Sequence, residues 1–401
     1  MGTRRFTAVA AGLMLIQTMF APSAFGATLC GGQNTTVEGT DDADTLEGTE
    51  GDDVIAALGG DDVINGNGGN DILCGDAGAD TLRGGAGDDL LLGGDGDDST
   101  STFVNVNVGG EPMGIDLETG GLAGGKGNDK LMGGAGDDSH FGQAGTDTLQ
   151  GDGGGDYYEG GKGNDTLTDD AGEDGMWGNA GNDSLLAGAE DDHLNGGAGN
   201  DSLNAGAGEN DVYGEDGRDA ITSGDQGDYI NGGKGNDRID AAGGENTLLG
   251  AAGTDSITAG SADDYINGGG GADLLNAGNG ENSVYGEGGK DVMSAGSAGD
   301  FMSGGGSGDR IEAGAGENSL HGGNGNDEIE AANGPDFLYG EGGSDIIRAA
   351  GGNDNLYGGD GNDNLYGEAG DDRIDGGGGK NLADGGNGND ECNNVATAKN
   401  C

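Results

Sequence analysis

The chain has 401 residues, 101 of them glycine, and its 75 acidic side chains outnumber 15 basic ones to give a formal charge of −60. Only 31% of residues are hydrophobic and 4% aromatic, too little apolar volume for the core of an ordinary globular enzyme of this length. Three prolines exclude a collagen helix, the acid excess argues against a nucleic-acid binder that must neutralise phosphates, and order then requires an internal period or a bound counter-charge.

Arg4 and Arg5 precede an apolar run from Phe6 to Ala21, followed by Pro22 and by Ala24 and Gly26 at the −3 and −1 positions of a cut before Ala27. Residues 1–26 thus have the layout of a secretory signal peptide, and the run is short for a membrane span; a retained N-terminal anchor is the alternative. Cleavage removes two arginines and no acid, leaving a charge of −62. No later apolar stretch approaches membrane length. The expected mature chain is therefore soluble, secreted and free of a membrane span, with residues 27–38 as an N-terminal cap.

From Gly39 the sequence reads in nines. One block covers 39–101 with seven units, and a second runs from Gly124 to Asn393 with thirty and no break in frame. Position six is Asp in 32 of the 37 units; the exceptions are Asn210, Asn246, Asn282, Asn318 and Asn381. Position eight is usually Leu, Ile or Val between polar neighbours, the alternation of a short strand with one inward side chain. Glycines at positions one, two and four are expected to allow φ > 0 and close backbone approach. Calcium takes 6–8 hard oxygen ligands, which carbonyls and recurring carboxylates supply.

These tandem units closely resemble the RTX, or hemolysin-type, calcium-binding repeat, GGxGxDxUx with U a large apolar residue, over about 333 of the 401 residues. The resemblance implies an all-β, right-handed parallel β-roll solenoid with two nonamers per coil, and with calcium held between turns by aspartates 18 residues apart. The ligands carried over are Asp44, Asp53, Asp62, Asp71, Asp80 and Asp89 in the first block. In the second they are Asp129, Asp138, Asp147, Asp156, Asp165, Asp183, Asp201, Asp219, Asp237, Asp255, Asp273, Asp291, Asp309, Asp327, Asp345, Asp354, Asp363 and Asp372. Thirty nonamers make fifteen coils, roughly 70 Å at a strand spacing of about 4.8 Å. Without counter-ions the carboxylates repel, so multiple Ca²⁺ binding and folding are expected to be one reaction.

The two edges of such a roll are not alike. One has turns that begin with glycine from Gly124 to Gly376, every 18 residues, while turns on the other mostly begin with Ala from Ala187 to Ala349. Asn210, Asn246, Asn282 and Asn318 recur on that second edge every 36 residues after Gly-Glu. Neutral asparagine lowers site charge, so calcium there is either weaker or absent, with the turn closed by hydrogen bonds. The same super-repeat sends Tyr213, Tyr229, Tyr265, Tyr285, Phe301, Phe337 and Tyr357 to one outer face. This stripe is either cross-strand packing or a contact surface for an extracellular glycan, cell wall or protein.

Four cysteines in an exported chain read as two disulfides. Rod geometry favours Cys30–Cys74 and Cys392–Cys401, each pinning a terminal segment over an end of the roll, with 394–401 as a C-terminal cap. Residues 102–123 break the frame; alternation in Phe103–Val108 and Met113–Leu117 around Gly109-Gly110-Glu111-Pro112 predicts a β-hairpin, read as a kink or joint between two roll segments. His140, His193 and His321 are widely spaced, and no HExxH or nucleotide-binding context occurs. The expected function is a non-enzymatic calcium-binding spacer or surface module, with an adhesin as the alternative and a calcium-dependent hydrolase as a weaker third.

Overall fold

The computed structural model describes residues 28–96, 98 and 121–401, together with the strands Asn105–Val108 and Glu111–Gly114; the expected leader lies outside them. The described residues form a parallel β-solenoid without helix. Strand triplets pair with their equivalents 18 residues on: Leu131 aligns with Leu149 and Leu149 with Leu167 in one sheet, and His140 with Tyr158 and Tyr158 with Met176 in the other. These are called sheet I and sheet II. Each coil adds one strand to both, which is what a nine-residue unit used twice per coil dictates.

Position eight is the middle of each triplet and points between the sheets. Leu131, Leu149, Ile257 and Ile347 of sheet I and Leu194, Ile230, Leu248 and Leu320 of sheet II are fully buried, in one continuous cluster. A coil contributes only two such side chains, so it cannot bury its own apolar face without stacked neighbours. The core is long and thin, and the turns that flank it decide whether the coil forms.

The glycines divide their labour differently from the sequence expectation. Gly125 and Gly127, at positions two and four, have φ of +115° and +139°. Position two keeps a positive φ even as Asn67 (78°), Asp76 (70°) or Glu215 (73°), so the stacked coil imposes this conformation on whatever residue stands there. Position one does not share it. Gly124 is glycine because a Cβ there would run into the Asp129 carboxylate of the same turn.

The insertion interrupts the sequence but not the roll. Asn105–Val108 and Glu111–Gly114 form the expected antiparallel hairpin, Asn105 opposite Gly114. Yet Thr81–Ala86 pairs directly with Gly121–Lys126, and Leu90–Asp95 with Lys130–Ala135. The kink or joint between segments is thus corrected: the ladder closes over the excursion. Its boundary also moves. Leu122, not Thr100, supplies the inward residue after the turn that starts at Gly93, because Leu122 aligns with Leu82 and His140 and is fully buried.

Cys30 is bonded to Cys74 and Cys392 to Cys401, but neither segment covers an end as expected. Leu29–Cys30 and Gln33–Asn34 form a small hairpin on the outer face of sheet I. There Cys30 packs with Val54, Ala56, Ile72, Cys74 and Leu92, outward positions that are apolar in these coils. At the other end Thr397–Lys399 pairs in parallel with Leu382–Asp384. The tail lengthens sheet I by a strand instead of closing it.

Candidate metal sites

Two rows of turns run along the roll, one leading into each sheet. Row I carries Asp53, Asp71, Asp89, Asp129 and every eighteenth residue to Asp363, ending at Asn381; row II carries Asp44, Asp62, Asp80, Asp98, Asp138 and onward to Asp390. All of the sequence-derived candidate ligands lie in these rows. So do Asp98, Asp174, Asp192, Asp228, Asp264, Asp300, Asp336 and Asp390, which the sequence reading left out. Their signal was present in the same position-six aspartate, and alanine at position one had been taken as a degraded turn.

Along both rows the backbone N–H of one position-six residue donates to the carboxylate Oδ1 one coil later. The distances are 2.8 Å for Asp53 to Asp71, Asp71 to Asp89 and Asp129 to Asp147, and 2.9 Å for Asp219 to Asp237. The ladder crosses the insertion intact, Asp89 to Asp129 at 2.8 Å. This fixes the carboxylate and uses one of its oxygens. The other is left over: Oδ2 of Asp71, Asp129, Asp147, Asp219, Asp255, Asp309 and Asp345 is buried without a hydrogen-bond partner.

A buried carboxylate oxygen without a partner is costly, and here the cost recurs coil after coil. Burial, with neighbouring row carboxylates adding to it, pushes Asp129, Asp219, Asp255, Asp309 and Asp345 up to about 7. Turn carbonyls crowd the same line; a Cβ on Gly145 would run into Gly127 O, and one on Gly163 into Gly145 O. Oxygen-only donors, negative charge and an orphaned carboxylate atom in each turn fit a hard divalent cation. The first coil is an exception, since Thr40 and Thr49 N–H groups donate to Oδ2 of Asp44 and Asp53 at 2.7 and 2.6 Å.

Row II changes character after Asp192. Asn210 Nδ2 donates to Gly208 O at 3.1 Å and to Asp228 Oδ1 at 3.0 Å. Asn246 Nδ2 donates to Gly243 O and Gly244 O, both at 3.1 Å. Asn282 and Asn318 repeat the arrangement with Gly280 and Asp300, and with Gly314 and Asp336. The amide stands where the orphaned oxygen would be and bonds the carbonyls that would otherwise turn toward an ion. Only Asn381, closing row I, does the same there, to Gly376 O and Gly378 O.

A family model for the RTX calcium-binding nonapeptide repeat matches from residue 38 to residue 392, in segments that include 38–73, 75–100, 122–149, 150–185, 186–221, 303–338 and 357–392. The chain belongs to this RTX family. No curated protein matches the RTX roll. Among solved structures it is similar to the X-ray crystal structure of a hyperactive, Ca²⁺-dependent, β-helical antifreeze protein from an Antarctic bacterium. That similarity has 18% identity, covers 75% of this chain and 85% of that one, and has a TM-score of 0.30.

The outer faces of the RTX roll also differ. Sheet II carries rings that touch from coil to coil: Phe141, Tyr157, Trp177, His193, Tyr213 and Tyr229 in one run, with centroids 4.9–5.7 Å apart. A second run joins Tyr265, Tyr285, Phe301, His321, Tyr339 and Tyr357 at 4.5–5.5 Å. Leu249 separates them. Sheet I has ion pairs instead, with Arg310 3.1 Å from Glu328 and Arg348 3.0 Å from Glu328 and Glu330. Of the expected stripe, Phe337 makes no ring contact in either run, while Phe141, Tyr157, Trp177 and Tyr339 extend it.

Proposed function

We propose that this RTX protein is secreted, coils on meeting external calcium, and then serves as a stiff spacer or surface interaction module without catalysis. The observation that carries the reading is the row of buried, partnerless Oδ2 atoms in the position-six turns. Asp62, Asp71, Asp80, Asp89 and the row I aspartates from Asp129 to Asp363 are the ligands, with turn carbonyls completing each site. In row II, the aspartates before Asn210 and after Asn318 act likewise. Between these two asparagines the amide fills alternate turns, so that stretch takes at most one ion for two coils, and more weakly. Calcium modules outside cells bind at about 10⁻⁴–10⁻³ M, so the calcium step on export is the folding signal.

The ring ladder supports the spacer reading over the adhesin. Rings stacked coil on coil spend their faces on each other, and only Tyr265 (40%) and Phe337 (46%) are largely exposed. The reading is tested on the secreted chain by circular dichroism and small-angle scattering, first in chelator and then through a calcium titration. Loss of β signal and expansion in chelator, both reversed by calcium, are expected; a chain that stays compact in chelator and ignores calcium overturns the reading.

A further inference from the structure

One turn departs from the repeat in a way that the period does not require. Position one is Gly, Ala or Ser in every nonamer but one, which begins with Asp169, and position eight is polar on described strands only at His140 and Tyr158. These departures meet in space. Position one in row II faces the core, as Ala187 and Ala205 show by their burial, so Asp169 carries a carboxylate inward. Its Oδ1 accepts the N–H groups of Asp170 and Ala171 at 2.6 and 2.9 Å. Its Oδ2 accepts the Tyr158 hydroxyl, which also lies 3.3 Å from Asp156 Oδ2.

Asp156, Asp169 and Asp174 bring carboxylate oxygens within 4.8 Å of one another, and each is 3% exposed. Independently of those contacts, Asp174 Oδ2 enters this group with no hydrogen-bond partner of its own. Gly151 leaves the space open: a Cβ there would meet Asp156 Oδ2, the Tyr158 hydroxyl and Asp169 Oδ2 together. The ring of His140, wholly buried and stacked on Tyr158 at 4.8 Å, holds the tyrosine in place. Three buried carboxylates at this spacing are stable only with a proton or a cation among them. The donors are all oxygen, which suits calcium over transition metals.

We propose that Asp156, Asp169 and Asp174 hold a calcium ion on the inner side of the roll, tighter than any ion between ordinary turns. The third carboxylate makes it so, since affinity in calcium sites rises with ligand charge. Occupied first, the site joins two successive row II turns and gives the solenoid a place from which coiling spreads. This inference rests on the calcium reading of Asp156 and Asp174.

The test is a calorimetric titration of calcium, with chelator competition, on the full chain and on two variants. Asp169→Asn keeps the side chain's size and its Oδ1 hydrogen bonds; Asp169→Gly returns the turn to the commonest residue of the repeat. The wild type is expected to show a single ion roughly tenfold or more tighter than the rest. Both variants lose that ion alone and reach the same β signal at saturating calcium. A tight ion that survives in both variants overturns the proposal. So does a wild-type titration with weaker sites only, which leaves the wider calcium reading standing and assigns the cluster a shared proton. No calcium uptake by the wild type overturns both.

Discussion

Along row I carboxylate follows carboxylate from Asp53 to Asp363, whereas along the middle of row II every second turn is closed by Asn210, Asn246, Asn282 or Asn318. The backbone is the same in both: the N–H of Asp219 donates to Asp237 Oδ1 at 2.9 Å, and that of Asp228 to Asn246 Oδ1 also at 2.9 Å. The difference lies in the second atom of the side-chain fork. In row I it is an oxygen with no donor; in the asparagine turns it is an NH₂ that donates to its own turn. One row needs something positive from outside, and the other carries a neutral donor in the chain. A repeat thus switches ion demand on or off by one atom, with no change of fold.

The broadest test of this contrast replaces calcium by protons. Burial raises Asp129, Asp219 and Asp255 to about 7 in the coil, against an ordinary 3.8. The coil therefore binds more protons than the unfolded chain. Their contribution to stability is fully present below about pH 4 and is lost as pH rises through about 7. In chelator, acidification from pH 8 to pH 4 is expected to restore β signal in circular dichroism, with proton uptake traceable to aspartates. An unfolded chain at pH 4 that coils only with calcium would show that protons cannot satisfy the Oδ2 atoms.

Exchanging the two turn types gives a smaller, local effect. Asn246→Asp with Asn282→Asp makes row II resemble row I: the variant is expected to bind more calcium at saturation and to need a higher calcium concentration to reach half-maximal β signal. Each change leaves a buried oxygen without its donor, at about 1–3 kcal/mol when no ion is present. The reverse pair, Asp237→Asn with Asp273→Asn, should bind less calcium and coil at a lower concentration of it. Equal calcium counts in all three proteins, by equilibrium dialysis, would mean that row I and row II load alike.

Much of this was legible before any coordinates. A period of nine with an inward position eight determines a two-sheet coil, because each nonamer has one turn and one strand and nothing else to form. The rows of aspartate followed from the same count. What was not legible depends on contacts between coils. Position-one glycine has no unusual φ to announce it and is forced by the neighbouring carboxylate, as at Gly124 and Asp129. The frame alone assigned Ser99–Ser101 as the strand after Asp98, but the core prefers Leu122 from beyond the hairpin. The asparagine turns could be read as weak sites or closed ones until Asn210 Nδ2 was found on Gly208 O. Asp169, His140 and Tyr158 were visible as exceptions, yet only the coil brings them together.

The outer faces repeat the contrast on a smaller scale, with rings over sheet II and ion pairs over sheet I. Exposed ion pairs contribute about 0–1 kcal/mol, and aromatic contacts about 0.5–1.5 kcal/mol each beyond area burial, so the ring ladder should be the stronger brace. Replacing Tyr213 and Tyr229 by Ser removes a contact at 5.7 Å and the contact of Tyr213 with His193. Thermal unfolding in saturating calcium is then expected to occur a few degrees lower. Replacing Tyr265 and Phe337, the two exposed rings, should change it less. If the first pair leaves the melting temperature unchanged while the second abolishes binding to glycan or cell-wall material, the rings are a contact surface and the adhesin reading replaces the spacer. If the first pair lowers stability and neither alters attachment, the stripe is the packing that keeps one face of a thin roll straight.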